Sequence, residues 1–195
     1  TSFINSATFL TTNSSKLVSE TIWVWNPTTK NHDAKVTGDA FKVAPGQGFF
    51  VSCGTAGDVT FNEAIQSHQG TDTFLKSSPK PEVQLNITDG DLNRYAKIYY
   101  NENATTSFDN GYDGATFTGV ANKLDVFTQL LANNQGKNYQ VQSLPNSDLA
   151  SMVIPVGLKS EAGKEITFTA EALNLPDGIK VFLEGRLTNV FTRLD

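Results

Sequence analysis

Glu82-Val83-Gln84-Leu85-Asn86-Ile87 decides the fold class. Polar and apolar residues alternate along it. In an extended chain Val83, Leu85 and Ile87 therefore share one face, and Glu82, Gln84 and Asn86 share the other. This is the pattern of a half-buried strand. Downstream, the turn residues Asp89-Gly90-Asp91 lead into Ala96-Lys97-Ile98-Tyr99-Tyr100, a second β-branched and aromatic run.

The same grammar extends in both directions. On the N-terminal side, Thr21-Ile22-Trp23-Val24-Trp25 stops at Asn26-Pro27-Thr28-Thr29, where proline cannot donate to a ladder. Ala40-Phe41-Lys42-Val43, the apolar Gly48-Phe49-Phe50-Val51-Ser52 and Asp58-Val59-Thr60-Phe61 read as further strands, the second of them buried. On the C-terminal side the strands are Tyr139 to Gln142, Met152 to Val156, Glu165 to Thr169 and Lys180 to Leu183. Asp109-Asn110-Gly111, Asn133-Asn134-Gln135-Gly136 and Pro176-Asp177-Gly178 punctuate them as turns. Leu124, Phe127, Leu130 and Leu131 fall at helical spacing and predict one short helix. The expectation is an all-β, antiparallel β-sandwich or jelly roll with at most one or two short helices. Residues 1–195 read as a single sandwich unit. A two-lobed division is possible only near 66–81, where Phe74-Leu75 is expected to anchor a polar connection.

Composition narrows the setting. The chain has 195 residues with 13 Phe, 5 Tyr and 2 Trp, enough apolar surface to offset the entropy of ordering. A net charge of −5 without any run of Lys or Arg disfavours nucleic acid, whose phosphates demand a basic footprint. No apolar stretch is long enough to span a bilayer as a helix, so no membrane insertion is expected. Cys53 stands alone beside Phe49-Phe50-Val51 and is expected to be a small buried hydrophobe.

One stretch carries a resemblance. Ala44-Pro45-Gly46-Gln47-Gly48-Phe49-Phe50-Val51 resembles a strand of the β-sandwich domains that precede the type IX secretion sorting domain in exported Bacteroidetes surface proteins. Further pieces follow in the order those domains show: Phe61-Asn62-Glu63-Ala64, Ala104 to Asp113, Gln142 to Pro145, Ile154 to Gly157 and Val181 to Glu184. The resemblance implies a β-sandwich, secretion and a cell-surface or extracellular location. It implies a chain that is part of a larger protein. It implies no particular activity.

Candidate chemistry is sparse. His32 and His68 lie in no metal or catalytic pattern and read as surface residues of polar loops. No nucleophile elbow and no Ser/His/Asp order is present. Asp109, Asn110 and Asp113 place oxygen donors around Gly111. They form either a Ca²⁺ loop or an Asx-rich turn whose side chains bond their own backbone. Trp23 and Trp25 share one face of a strand: exposed, they would stack on sugar rings; internal, they are core, Trp25 more so than Trp23. Tyr99 and Tyr100 point one ring each way, and Tyr112 sits in the Asx-rich loop. The sequons at Asn13, Asn86 and Asn103 read as coincidence in an Asn/Thr-rich chain. The expected function is a non-catalytic extracellular module that binds carbohydrate or another cell-surface protein. A structural spacer is the alternative, and a polysaccharide-degrading enzyme is the remote one. The expected ligand contacts are Trp23, Tyr99, Tyr100 and Tyr112.

Overall fold

The computed structural model of the chain describes residues 2–68 and 80–195. Its first part contains β1 (Phe3–Asn5), helix α1 (Ser6–Thr12), β2 (Thr21–Asn26), β3 (Asn31–Val36), β4 (Lys42–Val43), β5 (Phe49–Phe50) and β6 (Gln66–Ser67). The second part contains β7 (Glu82–Thr88), β8 (Asn93–Tyr100), β9 (Gly114–Ala115), β10 (Asp125–Thr128), β11 (Tyr139–Leu144), β12 (Val156–Lys159) and β13 (Thr167–Leu173). A hairpin of β14 (Phe182–Gly185) and β15 (Val190–Arg193) follows. The fold is all-β and sandwich-like. A large sheet runs in the order β12-β10-β11-β8-β7-β13, with β9 beside β11. Two three-stranded sheets, β3-β2-β5 and β4-β1-β6, surround α1.

Alternation along β7 holds as read: Val83, Leu85 and Ile87 are buried while their neighbours are half-exposed. Leu85, Ile87, Ala96, Leu124 and Val126 form one apolar cluster. Val83, Ile98, Tyr100 and Leu144 form another, covered by Leu149, Met152, Ile154 and Val181. The opposite face of β7, β8 and β13 stays polar. The small sheet packs its β3 edge against β11 and β9.

Several expectations fail for identifiable reasons. Residues around Leu124 to Leu131 form β10, not a helix. The segment is inserted between β11 and β12, so the ladder sets a period of two, and Leu124 and Val126 enter the core together. The helix lies instead at α1. There Asn5 accepts a hydrogen bond from Thr8 N at 3.3 Å, and Phe9 and Leu10 bury against Ile22, Val24 and Val43. Its short, Thr-containing sequence carries little helix propensity, so packing sustains it. Asp58 to Phe61 is irregular, and only Val156 of the Met152 to Val156 run is in a strand. The Gly48 to Ser52 strand shrinks to Phe49–Phe50, and Phe50 is exposed rather than buried. Cys53 is exposed as well; its backbone pairs with Leu17 in an isolated bridge outside the named strands. The expected division near 66–81 and the anchoring of Phe74 and Leu75 lie largely outside the described residues.

Candidate functional site

The hairpin of β2 and β3 is the element to which the site belongs. Its Asn26-to-Thr29 turn is closed by Asn26 Oδ1, which accepts from Thr28 N at 2.9 Å. A buried ionic junction holds β3 to the large sheet. Arg94 Nη1 lies 3.2 Å from Asp33 Oδ1, and Arg94 Nε lies 3.2 Å from Asp125 Oδ1. Charges taken out of water must be paired and saturated with hydrogen bonds. Asn26 Nδ2 and Gln140 Nε2 therefore donate to Asp33 at 2.7 and 3.3 Å, and Asn122 Nδ2 donates to Asp125 at 3.1 Å. Gln140 Oε1 also accepts from Ala34 N at 2.7 Å, which caps the free edge of β3.

With the hairpin fixed, one of its faces gathers aromatic rings. Trp23 pairs with Ala34 and Phe50, and Trp25 pairs with His32, so all of these project to the same side. Both indoles share one face, as expected, yet their exposures diverge. Trp23 is 7% exposed, covered by Val141 and Phe117, and its Nε1 donates to Ala115 O at 2.9 Å. Trp25 is 50% exposed and Phe50 53%. This corrects the expectation at both residues: Trp23 is core and Trp25 is the surface indole. The cover supplied by β9 and β11 reaches only the inner pair.

The rings pack into one continuous cluster, an angled shelf in which the His32 ring stands at 66° to Trp25 and 79° to Phe50. Centroids of Trp25 and His32 are 5.3 Å apart, His32 and Phe50 5.3 Å, His32 and Phe117 4.5 Å, and Phe50 and Phe117 5.1 Å. His32 is thus not a surface residue of a polar loop. It is a strand residue wedged among three rings, and its buried Nδ1 has no hydrogen-bond partner. Desolvation, helped by the Arg94 charge and opposed by Asp33, holds its imidazole below the usual histidine range. Near neutral pH the ring is uncharged, so the shelf offers aromatic surface without a cation.

The other expected contacts do not converge on this shelf. Tyr99 is half-buried; its hydroxyl donates to Asp39 Oδ1 at 3.0 Å, and the Lys97 ammonium sits 5.5 Å from its ring centroid. Tyr100 is buried in the apolar cluster with Ile98 and Leu144. Tyr112 is half-buried, and its carbonyl accepts from Ser143 Oγ at 3.2 Å. In the acidic loop each side chain has its own backbone task. Asp109 Oδ2 accepts from Thr105 N at 2.6 Å, and Asn110 Oδ1 accepts from Glu20 N at 2.8 Å. The two oxygens of Asp113 accept from Asp109 N at 2.8 Å and from Ser143 N at 2.7 Å. Asp113 is fully buried, and desolvation pushes its carboxyl up to about 6 despite those two donors. Gly111 allows the bend with φ of +82°. The loop is an Asx-rich tie between β11 and the Glu20 segment. No cluster of three or more His, Cys, Asp or Glu suited to a metal occurs among the described residues.

His32, Phe50 and Phe117 were missed from sequence. Strand pairing brings His32 and Phe50 to one face, and Phe117 packs onto them from a segment that forms no strand. A family model described as a domain of unknown function (DUF8693) matches residues 1–195. No curated protein and no solved structure matches the chain.

Proposed function

The chain belongs to the DUF8693 family, and we propose that it is a non-catalytic carbohydrate-binding module of an exported, cell-surface protein. The exposed shelf of Trp25 and Phe50, braced from behind by His32 and Phe117, carries this reading. A pyranose presents a face of C–H bonds that packs on aromatic rings, and its rim hydroxyls stay in water. Rings half-exposed and locked by neighbours bind such a face with little ordering cost. An unoccupied aromatic surface of this kind is otherwise a solubility liability. The surface location is supported by the resemblance at residues 44–51, whose Phe50 belongs to the shelf.

Affinity electrophoresis against plant and algal polysaccharides tests the reading. Retardation of the native chain is expected on at least one neutral glycan, lost on Trp25→Ala with an unchanged melting midpoint. Release of reducing ends or unsaturated products from a retarding glycan would overturn the non-catalytic part. Absence of retardation on every glycan would overturn the binding part and leave a spacer role. Protease shaving of intact cells that make the chain checks its location.

A further inference from the structure

His32 and Asp33 are adjacent on β3 and so project to opposite sides. His32 enters the aromatic shelf; Asp33 reaches Arg94 at the wall of a separate groove of about 320 Å³. The groove lies between the β2–β3 turn and the polar face of β7, β8 and β13. Strand register builds its floor. Thr88 pairs with Thr167, Asn86 with Thr169, and Gln84 with Glu171. On the other side Asn86 pairs with Tyr95 and Thr88 with Asn93.

We infer that this groove is a second binding site, for a neutral, hydroxyl-rich saccharide unit. The inference rests on the glycan-binding reading above and adds a subsite that the aromatic shelf does not contain. Three observations carry it. First, the floor is made of hydroxyl and amide groups, which donate and accept in the same way as sugar hydroxyls. Second, Thr29 lines the groove, is more than nine-tenths buried, and its Oγ1 has no hydrogen-bond partner. A buried hydroxyl left unpaired is costly, and rotation of the Thr29 side chain toward the groove would let a ligand hydroxyl satisfy it. Third, the electrostatics select against anions. The Arg94 guanidinium is already bound to two carboxylates, and Glu171 stands exposed at the rim, braced by Asn86 Nδ2 at 3.5 Å. Asn86 is itself fixed by Gln84 Nε2 at 2.9 Å. A carboxylate beside threonines accepts from vicinal diols and repels phosphate, sulfate and uronate groups. The volume is at the small end of ligand sites, which suits one or two sugar rings.

The test is titration of the full chain with neutral oligosaccharides (cello-, xylo-, manno- and laminari-oligomers), with oligouronates as the anionic comparison. Amide NMR shifts and calorimetric affinity are read on the native chain, Trp25→Ala and Thr167→Val/Thr169→Val. The threonine positions are exposed on a strand and valine keeps their shape, so the variant retains the fold. Shifts at Thr29, Thr88, Thr167 and Thr169 are expected with a neutral oligomer and not with oligouronates. The double valine variant is expected to bind roughly tenfold more weakly, as for two lost hydrogen bonds. Shelf binding lost on Trp25→Ala but unaltered by the valines, with silent groove amides, would overturn this inference and leave the proposed function standing. Groove shifts persisting in Trp25→Ala, with binding weakened only by the valines, would support it while removing the shelf from the function. Silent groove amides with every neutral oligomer, or stronger binding of oligouronates, would overturn it in either case.

Discussion

Replacing Arg94 by Met tests whether the ionic junction holds the hairpin to the large sheet. The methionine keeps most of the side-chain stem and removes the guanidinium, leaving Asp33 and Asp125 buried without their cation. Stranding a buried charge costs about 3–5 kcal/mol. Here each carboxylate keeps other donors: Asn26 and Gln140 on Asp33, Asn122 and Val126 N on Asp125. The lower end, about 3 kcal/mol, is therefore expected. For a chain of this size that is a fall in melting midpoint of roughly 6–12 °C. Urea unfolding at neutral pH reads the free energy directly. The triple variant Asp33→Asn/Arg94→Met/Asp125→Asn removes all three charges together and is expected to regain most of the loss. A loss below about 1 kcal/mol for Arg94→Met, or a triple variant no more stable than the single one, would refute the reasoning.

Three further outcomes are expected. Asp113 ionises near 3.8 when unfolded and at about 6 when folded. Between those values the folded chain holds a proton the unfolded chain has released, so this group makes stability fall as pH rises, by about 3 kcal/mol in total. His32, held low, works in the opposite sense. The difference between the native chain and Asp113→Asn, measured by urea midpoints from acid to neutral pH, therefore isolates the Asp113 contribution, and a pH-independent difference would contradict it. Gly157 pairs with Phe127 across β10 and β12, and a Cβ there would collide with the Phe127 ring. Gly157→Val should thus lose about 1–3 kcal/mol in urea unfolding, with partial recovery on adding Phe127→Ala. Cys53 is exposed, so it should react with a thiol reagent in the folded chain as readily as in the unfolded one.

How far the sequence reached depended on the range of the interactions. Turn residues act locally, so Asn26 to Thr29, Asp89 to Asp91 and Asp109 to Gly111 form the bends their composition predicts. Alternation is local too, and it placed Val83, Leu85 and Ile87 on the buried face of β7. The short apolar run at Leu124 to Leu131 defeated it, because spacing over so few residues suits helix or strand and the flanking strands decided. The candidate site was half legible. The two tryptophans marked its face, but not which of them meets water.

The sequence by itself therefore determined that the chain is built of strands, where it turns, and which side of a strand each residue takes. These follow from backbone sterics and side-chain period, which neighbours in the chain define. Tertiary structure alone decided what covers each side. Trp23 is core because Val141 and Phe117 close over it, and Trp25, two residues on, lies beyond their reach. Arg94 finds Asp33 across 61 residues of chain, and His32 meets Phe117 only through strand pairing and the packing of sheets. Burial depends on partners distant in sequence, and nothing in the spacing of a single strand records them.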